Sequence, residues 1–538
     1  MSRDVAVAAG RGFLVILASK IYFILTSAVL GLGLPRLFGD PAAFGRYRTV
    51  NGFATLANMV LITAAIQTAA RVVADPAAAR GGLRAVTLLA GGLGVVWATA
   101  VSLWAEPLAG LLFADPSFAP WLRLAALIAL GYSFYGVLVG RLNGARRFVE
   151  QAGLDIVFST AKVALVLGAV ALGYGVSGGL TGFLAATLLA IGVAAIFVSR
   201  GREAAPDEAA RPRDTAPSVA GLFLPLLGTQ LLLNLLLQLD GIAVKGLLTS
   251  PLEAMPAAAR AELGAALGAL EGEALAGAAL ADRLAGLYGA ARNVGLLPYQ
   301  ATFALTLVVF PILSDPRLRA AGGDAATAIR GALRFTALAG GAFVATLSGA
   351  APALTRALFG DAYAASSTAL AVLVIGGALL SVFVLLTTIL SATGNEGRGL
   401  LTMALSSATA AVALALALRS PEPQALVALG PEALLLRAAL VTTGAAALGC
   451  VAAGFALSRA VPGCLPLANG LRLVVAAGAG AAAAVLVPAG TTGFGPLVIR
   501  AAVGGLAYGA TLLVTRELGR DDLELLKRLL RRQRREST

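Results

Sequence analysis

Residues 218–247 read SVAGLFLPLLGTQLLLNLLLQLDGIAVKGL, and the solvent this run requires decides the fold. Leucine and other apolar residues occupy every side of it, whereas a soluble helix keeps one face polar. At about 1.5 Å per residue the run exceeds the roughly 30 Å of a bilayer's hydrocarbon layer. It reads as a membrane-spanning helix. Comparable runs fall at 13–34, 50–70, 85–105, 121–140, 155–175, 178–199, 284–312, 332–352, 366–392, 399–418, 433–458, 470–488 and 494–515. The expectation is an all-α polytopic membrane protein of about 14 transmembrane helices, the first of them retained rather than cleaved as a signal.

Composition leads to the same class. The 538 residues are 58% hydrophobic and only 13% charged, against about 25% charged in an ordinary soluble protein. So few polar groups cannot cover a water-facing globule, which excludes a small anchored enzyme and a disordered chain. Histidine is absent, removing the commonest metal ligand and the usual general base. No cofactor, metal or catalytic residue is expected. Cys450, in an apolar run, and Cys464, in a short connection, read as ordinary small residues rather than a disulfide. The net charge of +13 would suggest nucleic acid in a soluble protein; here the placement of the charges matters more, and no nucleic-acid partner is expected.

Lys and Arg collect in cytoplasmic loops. With the N-terminus inside, 27 of the 41 lie in inside segments, 10 in outside segments and four within spans. This predicts cytoplasmic N- and C-termini and a place in the inner membrane of a bacterium. One outside segment, 35–49, departs from the bias with Arg36, Arg46 and Arg48. Either a short hairpin crosses whatever its charge, or these arginines form an outer rim for an anion. Residues 248–283 read as an outer-surface insert, an amphipathic helix with Leu263, Leu267 and Leu270 at helical spacing. The tail 517–538 sets Leu523, Leu526 and Leu530 against six cations and suits a helix on an anionic leaflet, or a plain topogenic anchor.

A charge at mid-bilayer costs roughly 2.5–3.5 kcal/mol on insertion scales. Five charged residues nevertheless fall within spans: Lys20, Lys162, Asp240, Lys245 and Arg292. In the seventh span Gln230, Asn234, Gln238 and Lys245 share a stripe within about 80°, and Asp240 points elsewhere. Asp240 and Arg292 lie at comparable depth on consecutive spans and are expected to pair. Tyr288 and Tyr299 share the face of Arg292; Asp155, Ser159 and Lys162 share another; Asn51, Thr55 and Asn58 share a third. Membrane packing glue is mostly small or neutral. A positively lined, hydrated cavity for an anionic group explains the set better than five separate interhelical bonds.

Phe44-Gly45-Arg46-Tyr47 before the second span is echoed by Ala285-Gly286-Leu287-Tyr288 at the eighth. The echo suggests two six-helix halves, which in transporters enclose a site between them. The stretch Leu34-Pro35-Arg36-Leu37-Phe38-Gly39 through Phe44-Gly45-Arg46-Tyr47, with Gln67 and Arg71 beyond it, resembles the opening signature of the polysaccharide (O-antigen type) flippases. These belong to the multidrug/oligosaccharidyl-lipid/polysaccharide exporter (MOP) superfamily. Leu239-Asp240, Ala291-Arg292, Phe310-Pro311 with Ser314, Leu358 to Tyr363, and Ile389-Leu390 before Gly394 extend the resemblance over about residues 10–415. It implies two six-helix lobes in a V that move polyprenyl-pyrophosphate-linked oligosaccharide between leaflets for polysaccharide biosynthesis. Membrane lipids, and a polysaccharide polymerase or glycosyltransferases, would be partners.

The implied organisation is an N-terminal lobe at 1–200, a linker at 201–217, a C-terminal lobe at 218–460 with the insert 248–283, two further helices at 461–516 and the basic tail. A cation-coupled multidrug exporter is the competing reading. It needs deep carboxylates, and only Asp240 stands deep, among cations. A membrane glycan ligase or glycosyltransferase needs a large extramembrane catalytic segment, which the short connections do not provide.

Overall fold

The computed structural model describes residues 3–74, 76–200, 219–268, 275–302, 323–419, 423–488, 490 and 493–517. The linker at 201–217, the Phe310-Pro311 and Ser314 motif, Leu270 and the tail from 518 onward lie outside the described residues. Seventeen α-helices and no strand occur among those described. Thirteen helices are long and apolar enough to cross a membrane, each over one of the expected runs. The remaining run, 284–312, opens in a helix and continues beyond the described residues. The protein is an all-α, multi-pass membrane protein.

Packing divides the chain into two compact units, residues 1–293 with 403–441 and residues 294–402 with 442–538. The first contains α1 (Arg3–Phe38), α2 (Pro41–Ala74), α3 (Pro76–Leu103), α4 (Ala105–Phe113), α5 (Ala119–Gly144), α6 (Phe148–Ala171), α7 (Gly175–Arg200), α8 (Val219–Glu253), α9 (Ala257–Ala266) and α10 (Gly277–Gly295). In lipid every backbone group must be paired within the chain, so long helices are the only economical form for these runs. Helices then approach through small residues. Gly136, Gly140 and Gly144 form a rail on α5, where an added Cβ would come within 3.2 Å of the α2 backbone at Ile62, Ile66 and Ala70.

A second close approach involves the two repeated elements themselves. A Cβ on Gly45 would sit 1.9 Å from the Asp282 carbonyl oxygen, and one on Gly286 1.9 Å from that of Pro41. Each glycine meets the residue four before the other. The repeats thus cross about a local two-fold, with Phe44, Tyr47 and Tyr288 buried around the crossing.

Three expectations about connections change. Helix α2 begins at Pro41, nine residues before its apolar run, because Asp40 accepts from the Ala42 and Ala43 N–H groups and Pro41 suits the first turn. The insert is shorter than 248–283: α8 runs through Pro251 to Glu253, Ala257–Ala266 forms a separate helix, and α10 already begins at Gly277. Leu263 and Leu267 are buried on that helix. The stretch between the runs at 85–105 and 121–140 is no plain loop: it holds α4 and a 3-10 turn begun by Asp115.

In the second unit α11 (Gly323–Phe343) packs with α13 (Ser367–Ala392) and α16 (Leu467–Leu486), and α16 with α17 (Phe494–Val514); α12 (Ala351–Phe359) is short, and α14 (Glu396–Arg419) and α15 (Pro423–Ala460) each have residues in both units. Glu517, fully buried, accepts from Arg334 at 2.9 Å and Asn469 at 2.7 Å, fastening the end of α17 to α11 and α16. Cys450 and Cys464 are free thiols.

Candidate functional site

All the singled-out site residues belong to the first unit. The expected pair forms: Arg292 Nε lies 2.9 Å from both Asp240 carboxylate oxygens, with both side chains 3% exposed. The Tyr288 hydroxyl donates to Asp240 Oδ2 at 2.9 Å. One carboxylate therefore gathers the two polar groups that share a face of α10. Next in the chain, the Asn293 amide donates to the Gly31 carbonyl of α1.

Arg48 corrects the rim reading. Because α2 starts at Pro41, Arg48 lies two turns inside the helix rather than on a hairpin. Its stem rests on α10 at Gly289, where a Cβ would meet Arg48 Cγ at 2.7 Å. Its guanidinium is within electrostatic reach of Arg292 and Asp240. Its Nε is buried with no hydrogen-bond partner, and among the described residues no carboxylate lies within ion-pair distance of it. Asp240 is already held by Arg292 and Tyr288, so among the described residues this corner carries two cations against one carboxylate.

Lys245 is corrected in the opposite sense. It neither snorkels nor joins the Gln230–Asn234–Gln238 stripe. Its ammonium is fully buried, 2.8 Å from Asp282 Oδ1, 3.2 Å from Asp115 Oδ2 and 2.9 Å from the Ala278 carbonyl. Arg46 is no free rim cation either, since its Nε bonds to Asp282 Oδ2 at 2.9 Å. Arg46, Lys245, Asp115 and Asp282 make a neutral network beside the glycine crossing. Arg283, 3.7 Å from Asp40, braces its other side. Arg36 is exposed.

Burial pushes the Asp115 carboxyl up, but hydrogen bonds from Ser117 and Lys245 and the Lys245 charge outweigh it, leaving the group below the usual aspartate value. A depressed carboxyl stabilises the fold above the ordinary aspartate range, near about 3.9, and loses that contribution as pH falls through the lowered value. Asp115→Asn is therefore expected to lower the melting temperature at pH 7, with the deficit shrinking below about pH 4. Thermal melts across that window check it.

The other two lysines differ from each other. Lys20 is ion-paired to Asp155 at 2.7 Å, with Ser19 near the same oxygen, and its side chain is 39% exposed. Asp155 stood beside Lys162 in the reading of α6, yet its partner is on α1. Lys162 has no carboxylate partner among the described residues; its ammonium sits 3.8 Å over the Phe183 ring. Asn234 donates to the Gln230 carbonyl at 2.9 Å, Gln238 lies against α2 at Gly52, and Asn58 is buried with its amide oxygen unpartnered. Asp240 and Asp155 are thus spoken for, while among the described residues Arg48 and Lys162 remain as cations without a carboxylate partner.

No family model matches the chain, and no curated protein matches it. Solved structures do. One described as lipid II flippase MurJ, in an inward closed conformation, aligns at TM-score 0.67 with 13% identity over 94% of this chain and 100% of that one. Inward-facing and outward-facing structures of a multidrug resistance MATE family transporter of the MOP superfamily align at TM-scores 0.57 and 0.55, with 15% and 14% identity. They cover 83% and 86% of this chain and 98% and 99% of theirs. The chain has the fold of these transporters. At such identities the likeness speaks for fold, and the charge arrangement must carry the argument about cargo.

Proposed function

We propose that this protein is a flippase that translocates polyprenyl-pyrophosphate-linked oligosaccharide across the cytoplasmic membrane by alternating access between two six-helix halves. The observation that carries the reading is the charge balance of the embedded groups. Asp240 and Asp155 are each satisfied by a cation, and Arg48 and Lys162 are left over. A pyrophosphate is the complement of such a surplus, because in a low dielectric two phosphates draw several cations. Arg292, and Lys20 on the cytoplasmic side, would join once the anion competes for their carboxylates. Lys245 and Arg46 act structurally in this account. The proposed setting is a bacterial inner membrane with both termini cytoplasmic, serving polysaccharide biosynthesis.

The fold is shared with multidrug transporters, whose cationic cargo would need an available carboxylate. A binding assay on the purified protein separates the two. Farnesyl pyrophosphate is expected to bind the parent and to bind Arg48→Ala at least about tenfold more weakly, the scale of one lost charge-assisted contact. Ethidium is expected not to bind. Ethidium binding that survives Arg48→Ala and disappears in Asp240→Asn would move the protein to the drug-exporter class.

A further inference from the structure

One end of the second unit gathers arginines around a buried acid. The charge bias of the sequence puts the start of α11, the start of α16 and the end of α17 on the cytoplasmic side. Beyond α17, Arg516 has a φ of 55°, and the Arg516 and Glu517 N–H groups bond back to the Leu513 and Leu512 carbonyls. This turn carries Glu517 under the helix end, where its side chain is fully buried. Arg334 Nε reaches Glu517 Oε1 at 2.9 Å, and a second Arg334 nitrogen donates to the Glu517 backbone carbonyl. Asn469 donates to the same Oε1 at 2.7 Å, and Arg472 stands 3.8 Å from Oε2. One acid thus fixes the ends of three helices.

The arrangement leaves cations in excess. Arg472 is half-exposed, and its contact with Glu517 is long for an ion pair. Arg330, one turn before Arg334 on α11, is exposed, hydrogen-bonds to Thr327 at 3.3 Å and is within electrostatic reach of Cys464 just before α16. Arg516 is exposed as well. Among the described residues neither Arg330 nor Arg516 has an ion pair, and Arg472 has only Glu517, which Arg334 already holds. Each helix also sets apolar surface next to its arginine. Phe335 beside Arg334, Leu471 beside Arg472, and Leu513 and Val514 just before Arg516 are all exposed. Arginines that served topology alone would need no common anchor. A soluble anion would need the cations but not the apolar surface beside them. A phospholipid needs both, and the guanidinium fork suits its phosphate.

We propose that the α11–α16–α17 rim is a binding site for the phosphodiester headgroup of an anionic phospholipid of the inner leaflet. Arg330 and Arg472 hold the phosphate, Glu517 and Arg334 position them, and the acyl chains lie along Phe335, Leu471 and Val514. A lipid seated there joins the three helix ends, so its binding adds to their stability. The site is independent of the cargo.

The test follows the melting temperature of the purified full chain in an uncharged detergent. Dioctanoyl phosphatidylglycerol, dioctanoyl phosphatidylcholine and inorganic phosphate are added at matched concentrations. Phosphatidylglycerol is expected to raise the melting temperature to a plateau, and the other two to leave it unchanged. Arg330→Ala combined with Arg472→Ala should melt as the parent does without lipid. It should need about thirtyfold more phosphatidylglycerol for half the shift, about fivefold for each surface cation removed. Arg71→Ala combined with Arg200→Ala removes the same charge from exposed positions of the first unit and should keep the parental affinity. An equal loss in both double variants would reduce the effect to bulk attraction and overturn the site. So would an unchanged affinity in the rim variant, or no shift in the parent. A shift as large with phosphatidylcholine would overturn the headgroup, and one as large with phosphate would overturn the lipid. Should the rim double variant melt lower without lipid, Arg330→Ala alone carries the comparison, with a fall of about fivefold expected.

Discussion

Gly45→Ala and Gly286→Ala are each expected to lose most of the folded yield, with destabilisation at or above the roughly 1–3 kcal/mol typical of overpacked cores. A methyl group at either position would sit 1.9 Å from a backbone carbonyl oxygen of the other helix. Backbone cannot rotate away as a side chain can, so α2 and α10 would have to separate. Separation would break the Arg46–Asp282 bond at 2.9 Å and the Arg283–Asp40 pair, and pull Asp282 from the buried Lys245. Gly192→Ala on α7, where a Cβ meets nothing within 4 Å, is the control. It should fold at parental yield and gain a few tenths to about 1 kcal/mol through its better helix propensity. Size-exclusion profiles and melting curves in detergent check both.

The second large effect concerns Asp240. Asp240→Ala is expected to destabilise by about 3–5 kcal/mol, because it leaves the Arg292 guanidinium buried without its counter-charge and the Tyr288 hydroxyl without its acceptor. Replacing both partners, Asp240→Leu with Arg292→Met, should recover most of that stability, since a buried ion pair exchanged for apolar residues is often neutral. The double variant should still fail to transport. The prediction is read as a melting temperature that falls in the single variant and returns in the double, beside a transport rate that does not return. A single variant as stable as the parent would show that Arg292 finds its charge balance elsewhere.

Much of the fold was legible because lipid imposes one rule: a long apolar run must be helical. The Asp240–Arg292 pair was legible for a related reason, as two opposite charges at one depth on consecutive spans have few alternatives. Lys245 was not, since Asp115 and Asp282 lie in segments read as connections and nothing local announces that they fold inward. Arg48 was misplaced for want of a cap. Asp40-Pro41 is a helix-start signal, and reading it would have moved α2 back and put Arg48 inside. The Lys20–Asp155 pair escaped notice because helical spacing set Asp155 beside Lys162 on its own span, while the pairing depends on how α1 and α6 turn toward each other. The glycine repeat was read as a trace of duplication. That the two copies touch is a fact of tertiary packing that spacing does not contain.

The central claim is that Arg48 and Lys162, which have no carboxylate partner among the described residues, receive an anionic lipid-linked cargo. Its most direct test is translocation of a fluorescent polyprenyl-pyrophosphate-linked oligosaccharide in vesicles reconstituted with the parent, Arg48→Ala or Lys162→Ala. The account predicts translocation by the parent and a fall of at least about tenfold in each variant, the scale of one lost charge-assisted contact, at unchanged melting temperature. Parental rates in both variants would contradict it.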